Sequence, residues 1–454
     1  MFRPLNKLKA ARTPSTAPPA KAFEGRLRRG TQRPIPVRQN FQKFPSTANY
    51  CTVRCHVSLP HPPNGKHVNP SLEITWQEQK QKHKALWRAE NGLPPPTRVT
   101  VADDTMPATT AFRLASEGTA LMWRGDFQNA KLLLQAISRR IEAKAMRTAK
   151  KHPHAPPPPI LDAFNRHRLA QSQRARTLAM LLIPFDRDFT IPLRRAPDVR
   201  VACAEAWGKP DGTTPPSVAS LRELLGIIGA HEWREKGVEV AALRERIHPH
   251  YGVFAPIRSE YVGLVANAEL PSSTPTVAFD IGTGTGVLAA VLAKRGIKRI
   301  IATDQDPRAL ACARENIAQL GYGDRIEIVE ANLFPEGRAP LIVCNPPWLP
   351  ARPSSPLEGA IYDHESKMLR GFLTGLAAHL TPDGEGWLIL SDLAEQLGLR
   401  TREALLAWID TAGLMVASRI DVKPTHPRVA DVSDPLHVAR AKEVTSLWKL
   451  RVKE

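Results

Sequence analysis

Cysteine is scarce. Five residues, Cys51, Cys55, Cys203, Cys312 and Cys344, are scattered through 454 positions, which excludes a disulfide-stapled scaffold and fits a reducing compartment. Long apolar runs are missing as well. The best candidate, Leu178 to Phe185, falls far short of the roughly 18 residues that a membrane-spanning helix needs. A soluble, cytoplasmic protein with no membrane partner is expected. Acidic residues are nearly absent from the front of the chain, where Glu24 is the only one before Glu73. Proline, by contrast, is plentiful: its 42 residues are about double the usual share, and they crowd the first two hundred positions.

The formal charge of +19 is unevenly placed. Residues 1–100 carry +14, residues 101–270 carry +6, and the remainder carries −1. The segment with the chemistry-bearing motifs is therefore nearly neutral, and the basic pI alone says little about that segment's partners. Residues 1–105 show no sustained helical or strand period and are expected to be a disordered, basic, Pro-rich tail. Two other readings stay open for it: a chain that starts near Met106, and a targeting or RNA-gripping arm. Cys51, Cys55, His56, His61 and His67 invite a zinc check. Only five residues separate Cys55 from His61, too few for the folded unit of a zinc finger, so no metal site is expected.

From Met106 the pattern changes. Phe112, Leu121, Phe127, Leu134, Ile137 and Ile141 recur at roughly helical spacing, as do the stretches Val218–Ile228 and Val238–Ile247. Residues 106–265 read as a mostly helical accessory domain, with a short hairpin near Phe185 to Val201. Residues 266–454 then alternate strands (Thr276–Ile281, Arg299–Thr303, Ile326–Val329, Leu341–Cys344, Gly386–Leu390) with helices (Val287–Lys294, Pro307–Leu320, Ser366–Leu380, Thr401–Ala412). Leu414–Ile420 and Thr445–Val452 close the pattern. The expected fold class is α/β, a doubly wound and mostly parallel seven-stranded sheet of Rossmann-like type.

Two motifs sit in this segment. In the first, Asp280, Gly282, Thr283, Gly284 and Gly286 follow a buried strand and open a helix. The glycines permit a tight turn and close approach of a ligand. The Gly-x-Gly-x-Gly spacing differs from the dinucleotide form, and the preceding Asp280 would repel phosphates but suit an ammonium. Asp304 ends the next strand about 20 residues on, where a carboxylate can accept both hydroxyls of a ribose. In the second, Asn345, Pro346, Pro347 and Trp348 end a later strand. The prolines stop the sheet and fix the backbone. The Asn345 side chain and the Pro346 carbonyl become acceptors that can hold both hydrogens of a planar NH2 group, and Trp348 can stack on the flat group that bears it.

Taken together, residues 250–454 resemble a class I S-adenosyl-L-methionine-dependent methyltransferase of the small-domain type. The resemblance implies that Asp280, Gly282, Thr283, Gly284 and Gly286 line the methionine part of the cofactor, that Asp304 takes the ribose, and that Asn332 lies beside the adenine, where many members have Asp. It implies that Asn345 to Trp348 form the catalytic motif. Within that superfamily the chain is similar to the release-factor glutamine methyltransferases, which also carry a helical N-terminal domain and a Pro-Arg-Pro-Glu-Thr-Glu-like stretch. Here that stretch is Pro256-Ile257-Arg258-Ser259-Glu260-Tyr261. The implied activity is N-methyl transfer to a planar amide or amine nitrogen, with a protein glutamine favoured. Trp348 stands where the family usually has Tyr, and Trp there also occurs in enzymes that methylate adenine. An RNA or DNA exocyclic amine is thus the alternative acceptor. A binding protein that keeps the fold without catalysis, and a nicotinamide dehydrogenase, are further classes. The intact Asn345–Trp348 motif argues against the former. Asp363, His364 and Glu365 read as helix-capping residues, with substrate contact as the alternative, and His426, Arg428 and His437 as a basic rim.

Overall fold

Gln79 and Lys80 both adopt positive φ (48° and 65°), the type I′ turn geometry that matches strand twist. They join Glu73–Glu78 (β1) to Gln81–Trp87 (β2) in an antiparallel hairpin. Burial along β1 alternates, with Ile74 and Trp76 inward and Glu73, Thr75 and Gln77 outward. The computed structural model describes residues 73–150, 158–271, 275–353, 356–425 and 429–454, all within one unit, Thr47–Glu454. After the hairpin come Arg98–Ala102 (β3), Ala108–Ser116 (α1), Thr119–Trp123 (β4), Phe127–Lys150 (α2) and Ile160–Leu178 (α3). Leu181–Phe185 (β5), Arg200–Trp207 (α4), Ser217–Ser220 (β6) and Leu221–Lys236 (α5) complete this half. Its six strands pair in the order β1-β2-β6-β5-β4-β3.

This half departs from the helical reading. Residues 73–105 contribute three strands rather than lying in a tail, and residues 106–237 contain three more. The hairpin expected near Phe185–Val201 is absent; β5 is followed by irregular chain and α4. Val218–Ile228 opens as β6 before turning helical, and Val238–Ile247 is itself a two-stranded ribbon, Val238–Val240 (β7) with Glu245–Ile247 (β8). The cause is physical. β4 and β5 are five-residue apolar runs that are almost wholly buried, and a short run buried on both faces carries no period-2 signal. Two apolar layers flank them, one around Trp123, Phe127 and Ile137 and the other around Ile74, Trp76 and Met122.

Ser259–Asn267 (α6) leads into the second sheet. Its elements are Val277–Ile281 (β9), Val287–Lys294 (α7), Arg299–Asp304 (β10), Pro307–Gln319 (α8), Ile326–Glu330 (β11) and Ala339–Cys344 (β12). Then come the short Pro356–Gly359 (α9), a 3-10 turn at His364–Ser366, Lys367–His379 (α10), Leu380–Ser391 (β13), Leu393–Gln396 (α11), Arg402–Thr411 (α12), Leu414–Val422 (β14), His437–Lys442 (α13) and Thr445–Val452 (β15). The seven strands lie in the order β11-β10-β9-β12-β13-β15-β14. All pairings are parallel up to β13, and β15 runs antiparallel to both neighbours. Helices α6 and α7 pack on one face and α10 and α12 on the other, the doubly wound sheet that the alternation predicts.

The chain leaves β9 toward β10 and β11, then returns to the opposite side of β9 as β12. That reversal opens a crevice at the carboxyl ends of β9, β10 and β12. Capping fixes the helices there: Asp306 accepts from the Arg308 amide with Pro307 at the first helical position, a favoured start. Among the described residues, no helix is long and apolar enough to cross a membrane. Cys51, Cys55, His56, His61 and His67 lie outside the described residues.

The sheet predicts the fate of a chain started at Met106. It would lack β1 to β3 and leave β4 without its partner from Arg98 to Ala102. Such a chain should lose cooperative thermal unfolding of the front half, followed by far-ultraviolet circular dichroism. A melting temperature within about 2 °C of the full chain's would show that the three strands contribute nothing.

Candidate functional site

The register brings both motifs to one edge. Asp280 pairs with Ala302 on one side and Val343 on the other. Asp304 and Asn345 each lie one residue beyond the position paired with Ile281. The glycine loop, the ribose candidate and the Asn-Pro-Pro-Trp turn therefore meet where the sheet reverses.

Asp280 is 1% exposed. Its Oδ2 accepts from the Thr283 hydroxyl at 2.6 Å and the Ala289 amide at 3.1 Å, tying the loop to the first turn of α7. Its Oδ1 is buried and has no partner among the described residues. Burial pushes the carboxyl up to about 6; the Thr283 and Ala289 hydrogen bonds oppose the shift, and the charge of Asp304 adds to it. Gly282, Gly284 and Gly286 all have positive φ (73°, 55° and 81°), the left-handed region that only glycine adopts cheaply. At Gly282 a Cβ would lie 2.4 Å from the Met368 Cε. Asp304 Oδ2 accepts from the Gly284 amide and Oδ1 from the Asp306 amide, both at 3.0 Å. Each oxygen keeps a further lone pair for a ligand. Thr303 Oγ1 donates to the Leu333 carbonyl at 2.5 Å. Asn332 is exposed beside this contact.

The second motif is closed on itself. Trp348 Nε1 donates to Asn345 Oδ1 at 2.9 Å, so an acceptor that the sequence reading left open is engaged. The Pro346 carbonyl accepts nothing among the described residues. One face of the Trp348 ring is covered by the Arg258 guanidinium, 4.7 Å from the centroid, leaving at most one face for a flat substrate. Arg258 is held in turn by Glu260 at 2.7 Å and Glu443 at 2.9 Å. Glu443 is 1% exposed and also accepts from the Ser391 hydroxyl at 2.7 Å.

These observations meet an independent one. Residues 245–397 match the methyltransferase small domain family. This segment is similar to the methyltransferase small domain. Among curated relatives, the release factor glutamine methyltransferase of Cereibacter sphaeroides is 34% identical over 182 residues, which are 37% of this chain and 61% of that protein. The protein of the same description in Caulobacter vibrioides is 31% identical over 166 residues, 35% of this chain and 57% of its own. A ribosomal protein L11 methyltransferase of Pelotomaculum thermopropionicum is 42% identical over 69 residues, covering 15% of this chain and 22% of that protein. The chain thus spans about three fifths of the length of the release-factor relatives. A solved methyltransferase from Pyrococcus furiosus aligns over 51% of this chain and 98% of its own, with 20% identity and a TM-score of 0.34.

Of Asp363, His364 and Glu365, only Asp363 caps a helix among the described residues. Asp363 accepts from the Met368 and Leu369 amides at 3.0 and 3.1 Å, satisfying two of the orphan donors that open α10. His364 accepts from Arg352 Nε at 3.1 Å, and Glu365 is exposed. His437 begins α13 with Nδ1 buried and unpartnered. His426 and Arg428 lie outside the described residues. Sequence reasoning missed three neighbours of the site: Met368, Glu443 and the role of Arg258. Glu443 lies 95 positions beyond Trp348 in the chain, and no local pattern links them. Gly371 and Gly375 were also unremarked. A Cβ on either would strike Leu333 or Phe334, so the pair lets the loop after β11 press on α10.

The raised carboxyl of Asp280 gives a pH signature. Between roughly pH 4 and 6 the folded, ligand-free chain binds more protons than the unfolded chain. Its stability should fall as pH rises through that window, by about 3 kcal/mol if the whole shift is realised. Asp280→Asn should remove this part of the dependence. Denaturant unfolding of both proteins at about pH 4.5 and about pH 7 checks it. Equal changes in the two would mean that Asp280 does not titrate there.

Proposed function

We propose that this protein transfers a methyl group from S-adenosyl-L-methionine to the nitrogen of a planar amide, with a protein glutamine as the favoured acceptor. The observation that carries the reading is the unpartnered Asp280 Oδ1, buried at the same sheet edge as the Asn345–Trp348 turn. A buried carboxylate oxygen without a donor fits an ammonium-bearing ligand. The cofactor fits the remaining residues too. Asp280 with the loop Gly282, Thr283, Gly284 and Gly286 would hold its methionine part, Asp304 its ribose hydroxyls, and Asn332 would flank the adenine. When bound, S-adenosyl-L-methionine supplies an electrophilic methyl carried on a sulfonium.

The chain's own residues then orient the acceptor. An amide nitrogen is a poor nucleophile because its lone pair is delocalised. Asn345 Oδ1 and the Pro346 carbonyl, each taking one N–H, disperse the positive charge that grows on that nitrogen. The prolines hold both acceptors still, so little of the rate is lost to reorganisation. The glutamine preference is supported by the release-factor relatives and by the near-neutral charge of residues 271–454. A nucleic-acid amine is the second reading, supported by Trp348 and by the basic front half.

A label-transfer assay separates the two readings. Purified protein and methyl-labelled cofactor are added to an extract lacking the endogenous protein, which is then digested with protease, ribonuclease or deoxyribonuclease. Label that survives nucleases and not protease supports the protein amide; label lost to a nuclease supports a base. Asn345→Ala should abolish labelling, a drop of at least a hundredfold, while cofactor affinity by calorimetry stays within about threefold. Undiminished labelling by Asn345→Ala would sink the mechanism.

Trp348→Phe tests the closed turn. It keeps a ring and removes the N–H that occupies Asn345 Oδ1. If the acceptor must displace that N–H, worth about 1 kcal/mol, KM should fall about fivefold with kcat little changed. An unchanged or higher KM would mean that the indole N–H is no competitor.

A further inference from the structure

The folded region concentrates its positive charge in one place. Residues 73–454 carry a formal +7, yet residues 127–178 alone, spanning α2 and α3, carry +9. The rest of the region is therefore slightly acidic. Elsewhere about half of the described arginines meet carboxylates, among them Arg124 with Glu78, Arg308 with Glu90, Arg402 with Glu395, Arg440 with Asp434 and Arg451 with Glu385. On α2 and α3 the balance is different. Arg174 pairs with Glu142, but Arg139, Lys144, Arg147, Arg166 and Arg176 are exposed and form no ion pair among the described residues.

This cationic surface is not remote from the site. Phe164 of α3 is 3% exposed and packs with Leu349, the residue after Trp348, and with Leu393, Leu397 and Leu436. One turn on, Arg168 Nη2 donates to the Arg352 carbonyl at 2.9 Å, and its guanidinium lies 4.5 Å from the centroid of the Tyr362 ring. Phe164 and Arg168 lie on one helical stripe and lock α3 onto the segment that follows the Asn-Pro-Pro-Trp turn.

We infer that the exposed face of α2 and α3 is a docking surface for the phosphate backbone of a nucleic acid, which it holds beside the methyl-transfer site. The two helices have 24 and 19 residues, hence lengths of about 36 and 28 Å. Cations spread over that span suit a partner with one charge every ~3.4 Å of each strand. An anionic membrane suits them less, because the exposed apolar residues Leu132, Met146, Leu161 and Leu169 are interspersed with charge rather than gathered in a continuous apolar face. The docking surface itself is inferred from the placement of charge; only its role beside an acceptor site rests on the methyl-transfer reading. The nucleic acid is either the acceptor or the platform on which a protein acceptor is presented.

The test is fluorescence anisotropy of the full chain with a fluorescein-labelled single-stranded RNA of about 12 nucleotides, and with DNA of the same sequence, across a salt series. The variant is R139Q/K144Q/R147Q/R166Q. A charge-matched control, K82Q/R187Q/K209Q/K298Q, changes exposed cations on other elements and leaves the basic segment before residue 73 intact in both proteins. The α2–α3 variant should bind at least tenfold more weakly at about 0.1 M salt. Its plot of log K against log salt should be shallower by about 3 if all four cations meet phosphates. The control should stay within about threefold of the parent. Equal losses in variant and control, or polyglutamate or anionic vesicles competing as well as RNA per charge, would overturn the assignment. Calorimetry of cofactor binding, expected to be unchanged in the α2–α3 variant, separates this failure from failure of the methyl-transfer reading.

Discussion

The buried carboxylate of Asp280 is the constraint around which the second sheet is arranged. Its Oδ2 ties Thr283 to Ala289 and so curls the glycine loop into the start of α7. That loop has three left-handed residues, and the strain of such a path is acceptable only with glycine. Burying an acid without full hydrogen bonding is costly. The chain accepts that cost at one oxygen, Oδ1, and surrounds it with strands whose register is fixed on both sides. A buried group left unsatisfied inside well-paired structure is more informative than one on a loop, because nothing local prevents the fold from satisfying it.

The two sheets are joined by polar ties that also bear on the site. Arg308, in the first turn of α8, pairs with Glu90 just after β2 at 2.8 Å. Asn316, 1% exposed on α8, donates to the Thr285 carbonyl at 3.1 Å and to the His248 carbonyl at 3.2 Å, and accepts from the His248 amide at 2.7 Å. A single amide side chain thus connects the glycine loop to the segment after β8. With α3 seated on the chain beyond Trp348, the front half touches both the glycine-loop side and the Asn-Pro-Pro-Trp side of the crevice.

The second sheet was legible in the sequence because its signals are local. Val287–Lys294 and Thr445–Val452 have the predicted bounds, and most other elements differ by one to three residues. Both motifs are contiguous, so Asp280, Asp304 and Asn345 could be read before their register was known. The front sheet was not legible. Its strands are short, β4 and β5 are buried on both faces, and β2 is rich in lysine because it lies near an edge. Helix and strand then give the same apolar spacing, and only pairing between distant segments decides. The same limit hid Arg258 and Glu443, whose contacts join residues far apart in the chain.

The closed Asn-Pro-Pro-Trp turn bears on selectivity. Asn345 Oδ1 already has a donor, the Trp348 indole, while the Pro346 carbonyl has none among the described residues. On the methyl-transfer reading, a substrate with one N–H or O–H can bond the open Pro346 carbonyl without disturbing the indole, a gain of one hydrogen bond. A primary amide or amine brings two coplanar N–H groups. It can satisfy Pro346 and also reach Asn345 Oδ1, whose second lone pair the indole leaves open, a further hydrogen bond worth about 1 kcal/mol or somewhat more in a site of low dielectric. The Arg258 guanidinium stacked on Trp348 and held by two carboxylates fixes the ring from one side. On the same reading, discrimination for an NH2 group follows from the second hydrogen bond, which a single donor cannot supply, and needs no pocket shaped to the rest of the substrate.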